Sequence, residues 1–441
     1  MKKLALSLCV SIITIVLLCS NLFASAYTPT FDVSAKNAML VNIDTNEIIY
    51  SKNADDKIYT ASLSYLMNAI VVCEKAKFDD VVTVDGEVVD RLLGTGAIVA
   101  NLKAEEQISV GDLMRCMLIS SHNDAALVLA EYVGGSTKEF VKMMNDKAKS
   151  LGMSDSQFNT PIGLFDEKQY TTARDLFKLY MAAMDIDSVA EILSQTRYTV
   201  PETNKSGTRL LSTTTRLIDR TTNYYYKYAL AGKTGNSDKS GRCIASTAEN
   251  DGKRYVCILA GCDPEAESRT DFSDSISLYK WAFGNFEYKT VVSKGEQVSV
   301  SADVDLSWDV DTITLTAGES VVALLPKDAD LSTIEYVVSL DKKVFDAPIK
   351  KNEKLGTAKI YFSNPTAEDS EPIGEITLLA GQEVEGSVAL LLWRWIGGFI
   401  GNPFVIVLFV ALVIAFIVMT VMANMKAKRE RKKKLRLKKR L

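Results

Sequence analysis

Three short segments combine hydroxyl, amide and amine side chains in a pattern that suits nucleophilic chemistry. They are Ser62-Leu63-Ser64-Tyr65, Ser121-His122-Asn123 and Lys233-Thr234-Gly235. A serine beside a proton acceptor can attack a carbonyl carbon and form a covalent intermediate. His122 is the only histidine of the chain and adjoins Ser121, so a Ser-His-Asp triad would need unusual geometry. A serine nucleophile here is therefore activated by a group other than imidazole.

Composition argues against other classes of site. A zinc site normally needs histidines or paired cysteines at ligand spacing, and the chain has neither, so we expect no metal and no cofactor. Five cysteines follow the N-terminal apolar run in irregular spacing. We expect scattered buried thiols, with Cys243 facing Cys257 across a hairpin as the alternative. The net charge is −4 overall, but −16 without the basic tail and Lys2 and Lys3, which argues against nucleic-acid binding.

Apolar segments at both ends predict the topology. Residues 1–26 contain two lysines, an apolar run and Ala24-Ser25-Ala26, as in a secretory signal peptide, with an uncleaved anchor as the alternative. Residues 402–424 are long and apolar enough to form a transmembrane helix. Residues 425–441 follow with eleven Lys or Arg and one Glu, which marks the cytoplasmic side. We expect a single-pass cell-membrane protein with an extracellular main part and a tail that contacts anionic lipid rather than nucleic acid.

The elements that position the three segments predict an α+β domain over residues 27–288. A helix is expected from Ser62 onward, and its apolar residues surround the circumference, so it should be buried. A β-hairpin is expected at Ala38–Ile43 and Glu47–Ser51. Further helices are expected at Val110–Ile119, Asp124–Val133, Thr172–Met184 and Ser273–Phe286, and strands at Ala231–Gly235, Arg242–Thr247 and Tyr255–Gly261. Strands at both ends of the domain would form an antiparallel sheet beside a helical middle.

The pattern changes after residue 288. Residues 289–385 contain short alternating runs, such as Gln297–Val300 and Thr312–Leu315, broken by Gly, Pro and Asp, and predict a small all-β domain. Residues 388–400 contain Trp393 and Trp395 and are typical of a segment at the membrane interface.

These features together resemble the D-alanyl-D-alanine carboxypeptidases, the low-molecular-mass penicillin-binding proteins that trim peptidoglycan stem peptides. The family carries S-x-x-K, S-x-N and K-T-G in this order. The resemblance extends over about residues 30–385 and includes the flanking stretches Ala35–Leu40, Lys52–Asp55, Ser121–Ala126, Phe158–Leu164 and Tyr170–Leu176. It implies a penicillin-binding-protein/β-lactamase-like catalytic fold. The added β-domain and membrane anchor are more typical of a wall protein than of a β-lactamase.

The resemblance implies that Ser62 is the acylated nucleophile and that Ser121 relays a proton to the departing amine. It implies that Asn123 holds the substrate backbone. Taken alone, Ser62 would be interpreted as a helix N-cap and the Ser121–Asn123 segment as a capping turn.

The third motif is implied to bind the end of the substrate. Lys233 would attract the terminal carboxylate of a D-Ala-D-Ala peptide, with the Thr234 hydroxyl beside it. Gly235 would admit close approach of an extended peptide to an edge strand. Without the resemblance, the same residues would be interpreted as a strand end with a solvated lysine.

Position 65 departs from the family pattern. The family's lysine there takes the serine proton, whereas a tyrosine with a pKa near 10 is only about a thousandth ionised at neutral pH. Lys233 would lower the pKa of Tyr65 and burial would raise it. The alternative is that Tyr65 packs and hydrogen-bonds inertly. Ile162 and Thr60 also stand where the family usually has His and Pro.

Two functions follow as expectations. The first is a serine carboxypeptidase that acts on peptidoglycan through an acyl-enzyme at Ser62, with Tyr65, Lys233 or water replacing the missing base. The second is a catalytically impaired homologue that binds D-Ala-D-Ala stem peptides without turnover. The resemblance also implies β-lactams as ligands.

Overall fold

The computed structural model describes residues 28–362 and 372–438, so the signal-peptide prediction and the last three residues of the tail lie outside the described residues. The chain forms two compact units. The first runs to Glu287 and includes Leu324–Lys327, and the second comprises Tyr288–Ala323 and the chain from Asp328 onward.

Nine strands lie wholly within the described part of the first unit. They are β1 (Asn37–Asn42), β2 (Glu47–Lys52), β3 (Val81–Thr83), β4 (Gln107–Ser109), β5 (Arg197–Val200), β6 (Arg209–Ser212), β7 (Ala229–Ser237), β8 (Gly241–Asn250) and β9 (Lys253–Cys262). Five of them form an antiparallel sheet in the order β2-β1-β9-β8-β7. Strand β7 is an edge strand, so one side of its backbone is open to a further partner. Pairs β3-β4 and β5-β6 form two small separate sheets.

From residue 28 onward, where the structure describes the chain, eight α-helices belong to the same unit. They are α1 (Tyr65–Lys75), α2 (Gly86–Asp90), α3 (Val110–Ile119), α4 (Asn123–Gly134), α5 (Thr137–Ser150), α6 (Ala173–Met184), α7 (Asp187–Ser194) and α8 (Thr270–Asn285). Side-chain caps fix several of their starts: the Ser109, Ser136 and Thr172 hydroxyls accept hydrogen bonds from backbone N–H groups of the first turn.

Helices cover both faces of the main sheet. Adjacent residues of a strand point to opposite faces, and on β8 the hydroxyls of Ser246 and Thr247 meet different helices. Ser246 bonds Tyr279 of α8 at 2.9 Å, and Thr247 donates to Tyr180 of α6 at 2.9 Å. The sheet is therefore the middle layer of the unit.

Helix α1 lies at the centre of the core. Every residue from Tyr65 to Val72 is buried, as the apolar residues around its circumference predict. A short 3₁₀ turn, Ala61–Ser64, precedes it and packs against β7. The buried first turn of α1 therefore lies beside the edge strand that carries Lys233-Thr234-Gly235.

The second unit is rich in β-structure, as predicted. Its strands are β10 (Phe286–Val292), β11 (Gln297–Asp305), β12 (Thr312–Ala317), β13 (Val321–Pro326), β14 (Ile334–Leu340), β15 (Val344–Asp346), β16 (Lys354–Phe362) and β17 (Gly374–Ala380), with two of them, β10 and β13, sharing residues with the first unit. Six strands form a sheet in the order β14-β16-β17-β12-β11-β15, and β10 pairs with β13.

Two helices end the described chain, α9 (Val388–Ile400) and α10 (Pro403–Lys438). Residues Pro403–Arg431 of α10 are long and apolar enough to cross a membrane. Arg394 of α9 pairs with Asp346 of β15 at 2.6 Å and with Asp305 of β11 at 3.4 Å, which holds α9 against the β-sheet.

The cysteine alternative is wrong. On the β8-β9 hairpin, Cys257 lies opposite Ser246 and not opposite Cys243. All five cysteines of the described chain are free thiols, and four of them are buried. This matches the expectation of scattered buried thiols.

Candidate active site

Ser62 lies in the 3₁₀ turn before α1. The turn is closed by Leu63 N–H donating to Thr60 O at 3.0 Å and by the Ser64 hydroxyl donating to Ala61 O at 2.9 Å. Ala61 has a φ of 42°, a left-handed conformation that costs a non-glycine residue free energy. The caps assigned to the two helices are Thr60 and Ser64, so Ser62 is not an N-cap. Its side chain is half-buried and keeps a route to solvent.

Two glycines lie close to Ser62. A Cβ on Gly163 would overlap the Ser62 Oγ, and a Cβ on Gly235 would lie 3.3 Å from the Ser62 N and 3.1 Å from the Ala61 Cβ. Both positions therefore need glycine for this close approach. Gly235 was singled out from the sequence, whereas Gly163 was not.

Tyr65 is completely buried one turn after Ser62. Its hydroxyl donates to Asn123 Oδ1 at 2.8 Å and accepts from the Gly163 N–H at 3.2 Å. Burial raises the pKa of Tyr65 well above its ordinary value of 10, and this outweighs the opposite effects of its hydrogen bonds with Gly163 and Ser62. The phenol is thus protonated at neutral pH and links α1, α4 and the Gly163 loop.

Asn123 is occupied by these same partners. Its Oδ1 also accepts from the Gly163 N–H at 3.0 Å, and its Nδ2 donates to Ile98 O at 3.1 Å. Only 5% of the residue is exposed. Among the described residues only Ile98 O accepts from Nδ2, so the second Nδ2 hydrogen can donate to a substrate backbone.

Lys233 on β7 is the most unusual polar residue of the site. It is 0% exposed, and its ammonium donates to Ser121 Oγ and, at 3.1 Å, to Thr234 O. In the described residues no carboxylate forms an ion pair with it. Burial lowers the pKa of Lys233 to about 7, so about half of the molecules carry a neutral amine at pH 7. The alternative of a solvated strand-end lysine is excluded by its burial.

Ser121 lies between α3 and α4 with a φ of 60°, again a left-handed conformation. The residue in the N-cap position of α4 is His122, so Ser121 does not cap the helix, and its hydroxyl instead faces Lys233. A left-handed residue therefore occurs directly before Ser62, at Ala61, and within the second motif, at Ser121. Such conformations are common where a backbone is held for function.

Thr234 presents its hydroxyl beside this pair. It donates to the Thr214 hydroxyl at 2.7 Å and is only 7% exposed. Thr214 had no signal in the sequence, because a threonine within a Thr-Thr-Thr run resembles an ordinary polar loop.

The structure brings the predicted residues together. The Lys233 ammonium lies 5.6 Å from the Tyr65 ring centroid, Tyr65 bonds Asn123, and Lys233 bonds Ser121. Gly235 of the same strand lies against Ser62. The cluster holds the Ser121 hydroxyl next to the buried Lys233 amine, and a neighbouring base of this kind can activate a serine for acyl chemistry without imidazole.

Comparisons with known proteins identify the same family that the sequence motifs resemble. Residues 23–263 match the family model "D-alanyl-D-alanine carboxypeptidase", and residues 286–386 match "Penicillin-binding protein 5, C-terminal domain".

Similar curated proteins include two D-alanyl-D-alanine carboxypeptidases. DacF of Bacillus subtilis is 26% identical over 78% of this chain and 88% of its own length. DacC of Escherichia coli is 29% identical over 76% of this chain and 82% of its own length.

A similar solved structure is the D-alanyl-D-alanine carboxypeptidase DacD from Francisella tularensis. It has a TM-score of 0.64 and 22% identity and covers 82% of this chain and 96% of its own. This match confirms the penicillin-binding-protein-like fold that the sequence predicts.

Proposed function

Because the chain belongs to the D-alanyl-D-alanine carboxypeptidase family, we propose that it cleaves D-Ala-D-Ala ends of peptidoglycan stem peptides through an acyl-enzyme at Ser62. In this proposal Lys233, acting through Ser121, takes the place of the lysine that the family motif has at position 65. Tyr65 is a positioning residue that keeps the Gly163 loop and Asn123 in place.

The observation that carries the proposal is the burial of Lys233 without a carboxylate partner. An unpaired ammonium in the protein interior is costly, so the amine titrates near pH 7 instead of near 10.5. A group with a pKa close to the working pH is the most effective proton acceptor and donor. Tyr65 is unsuited to this role, because its pKa is raised further from neutrality.

The proposed reaction consists of acylation of Ser62, with loss of D-alanine, and hydrolysis of the resulting ester. The Ser62 oxygen attacks the carbonyl carbon of the penultimate D-alanine, and its proton passes through the Ser121 hydroxyl to the neutral Lys233 amine. The tetrahedral intermediate then expels D-alanine, whose nitrogen receives that proton back through Ser121. Water hydrolyses the ester by the same relay, and the free stem and Ser62 are restored. The Thr234 hydroxyl and the Lys233 charge formed in the first step attract the substrate's terminal carboxylate.

A second candidate is favoured by the contacts of Tyr65. Asn123 Oδ1 already accepts from Tyr65 and Gly163, and a Cβ on Gly163 would overlap the Ser62 Oγ, so the Gly163 loop lies close against both residues. A site held in this way suits a homologue that binds D-Ala-D-Ala ends and does not turn them over.

The membrane topology is part of the proposal. We propose residues 27–288 as the carboxypeptidase-like domain, 289–385 as the β-domain and 388–400 as an interfacial segment. Residues 402–424 would span the membrane, which leaves the site outside the cell and residues 425–441 in the cytoplasm.

The test uses the full chain in detergent and a fluorescent penicillin. The proposed enzyme forms a covalent adduct that is lost in Ser62→Ala. The labelling rate should rise with pH and level off above about pH 8, because the amine of Lys233 is neutral above its pKa of about 7. Lys233→Met should reduce the rate by about 100-fold or more and remove this pH dependence.

Two outcomes separate the candidates. If no adduct forms while a D-Ala-D-Ala peptide still binds in calorimetry, the impaired homologue is correct. If the Tyr65→Lys variant then forms the penicillin adduct, the lack of a lysine at position 65 is the cause of the impairment.

A further inference from the structure

A polar groove of about 460 Å³ lies in the first unit beside the end of β7. It is lined by residues outside the three motifs, among them Lys36, Lys57, Tyr59, Asp238, Lys239 and Asp263. We call it the lysine groove. It is large enough for a charged group of a peptide rather than for a single water molecule.

The lysine groove is suited to an anion. None of its three lysines forms an ion pair with a carboxylate in the described part of the chain, and the Lys57 ammonium instead lies 4.1 Å from the Tyr170 ring centroid. Of its two acidic residues, Asp263 already accepts a hydrogen bond from the Glu265 N–H at 2.9 Å. Three lysines against two aspartates leave the groove one positive charge in excess.

Strand β7 leads from the proposed catalytic site to this groove. Lys233 and Thr234 would hold the terminal carboxylate, and Gly235 is the residue that lies against Ser62. The acyl part of the substrate therefore continues along β7 past Asn236, away from Lys233. Ser237 and Tyr59 line one small cleft in that direction, and Tyr59 is also part of the lysine groove.

The distance fits the charge pattern of a stem peptide. Strand β7 ends at Ser237, about 7 Å along the strand from Gly235, and Asp238 and Lys239 lie in the turn that follows. A stem peptide carries an acidic residue two positions before the acylated D-alanine. A γ-linkage at that residue lengthens the chain and leaves its α-carboxylate free. The two residues and the longer γ-linkage place this α-carboxylate near the turn that follows β7, within reach of a lysine side chain.

We propose that the lysine groove is a subsite for the free carboxylate of this acidic residue, so that the protein discriminates between acidic and amidated stem peptides. The inference rests on the proposed function, because it takes the direction of the peptide from the roles of Lys233 and Ser62. An exposed ion pair contributes little, so the expected preference is about three- to tenfold in Kd when two lysines act together.

The experiment measures binding to the full chain carrying Ser62→Ala, in detergent, by calorimetry. Three probes are compared: an acidic pentapeptide ending in D-Ala-D-Ala, the same peptide with only that carboxylate amidated, and an N-acetylated tripeptide that lacks the acidic residue. We expect the acidic pentapeptide to bind about three- to tenfold tighter than its amide at low salt. The combined variant Lys36→Ala/Lys239→Ala should remove this difference and leave tripeptide binding unchanged.

The matched control is Lys138→Ala, which removes an exposed lysine from α5, outside the groove. It should keep the preference. Equal affinity of the acidic and amidated peptides, with the tripeptide still bound, overturns the subsite alone. Failure of all three probes to bind overturns the proposed function and the subsite together. A preference that persists in the double variant overturns the assignment to these lysines.

Discussion

Tyr65 and Lys233 are buried polar residues whose pKa values move in ways that decide their roles. The interior raises the pKa of the phenol away from neutrality and lowers that of the amine toward it. At pH 7 Tyr65 is a hydrogen-bond donor and Lys233 is half neutral. We therefore expect the residue that replaces the family's lysine to be structural, and propose Lys233 as the proton acceptor.

Tyr65→Phe should separate structure from catalysis. The change leaves Asn123 Oδ1 without one of its donors, so the free energy of unfolding should fall by about 1–2 kcal/mol. Penicillin labelling should change less than about fivefold if Lys233 and not the phenol is the base, as proposed. Chemical denaturation and labelling rates give both values. Tyr180→Phe, a buried tyrosine that bonds Thr247 and lies on α6, is the matched control. A loss of labelling as large as that of Ser62→Ala would instead make Tyr65 the base.

Gly163→Ala should close the site without unfolding the protein. The new Cβ would overlap the Ser62 Oγ, so the loop or the serine must move. Labelling and peptide binding should both fall by at least about tenfold, which corresponds to about 1.4 kcal/mol. Gly207→Ala is the control, because a Cβ there has nothing within 4 Å. Unchanged labelling of the Gly163→Ala variant would show that the loop does not restrict Ser62.

At the scale of elements, a buried ion pair holds the helical region that carries Ser121. Glu106 before β4 is 0% exposed and pairs with Arg209 of β6 at 2.7 Å. Although burial raises the pKa of Glu106, its hydrogen bonds with Arg209, Lys103 and Thr203 hold it below its ordinary value of 4.5. Arg209 also donates to Ala100 O at 3.0 Å, so it links the loop before β4 to β6.

Arg209→Met should lower the free energy of unfolding by about 3–5 kcal/mol at pH 7, because it leaves a buried carboxylate unpaired. The folded-state pKa of Glu106 is lowered, so the stability it contributes is present above pH 4.5 and is lost as the pH falls through the folded pKa. The difference in the free energy of unfolding between Arg209→Met and the parent protein should therefore become smaller below about pH 4. Urea unfolding at several pH values measures it.

Arg174→Met is the control for that experiment, since its partner Asp55 is 68% exposed. It should cost less than about 1 kcal/mol. An equal cost for both variants would contradict the special role of the buried pair.

The elements with clear periodicity were predictable from the sequence. The β1-β2 hairpin, α3, α4, α6 and the three strands β7–β9 lie within a few residues of their predicted bounds. Helices α5 and α7 and the short strands β3–β6 were missed. Helix α5 has only Phe140, Met144 and Ala148 buried among many charged residues. Its apolar face is therefore too narrow to predict a helix from the sequence pattern.

The same limit applies to the site. Its motif residues were visible because their types and order carry the chemistry. Gly163, Thr214 and the Ile98 carbonyl enter only through tertiary contacts, and a backbone acceptor has no signature in the sequence. The burial that shifts the pKa of Lys233 is likewise a property of the folded chain.

At the scale of the whole molecule, the C-terminal helices carry the features that would attach the protein to a membrane. Helix α9 exposes Trp393 and Trp395, and α10 follows after only Gly401 and Asn402. Amphipathic aromatic rings favour the boundary between lipid and water.

Truncation tests this arrangement. A chain ending at residue 402 should leave the membrane fraction on alkaline carbonate extraction, because it lacks the only helix of the described chain that is long enough to cross a membrane. A chain ending at Met425, which lacks only the basic tail, should remain in the membrane. Extraction of the full chain by carbonate would contradict a spanning helix.

In the proposed topology, the pairing of Arg394 with Asp346 and Asp305 would also limit how far the β-rich unit can lie from the membrane. Only seven residues separate the end of β17 from the start of α9, and Ser387 N–H is bonded to Leu306 O at 2.7 Å. In the proposed topology, the β-rich unit cannot travel outward through the wall on a long flexible stalk. In that topology its reach would be confined to the layer next to the lipid.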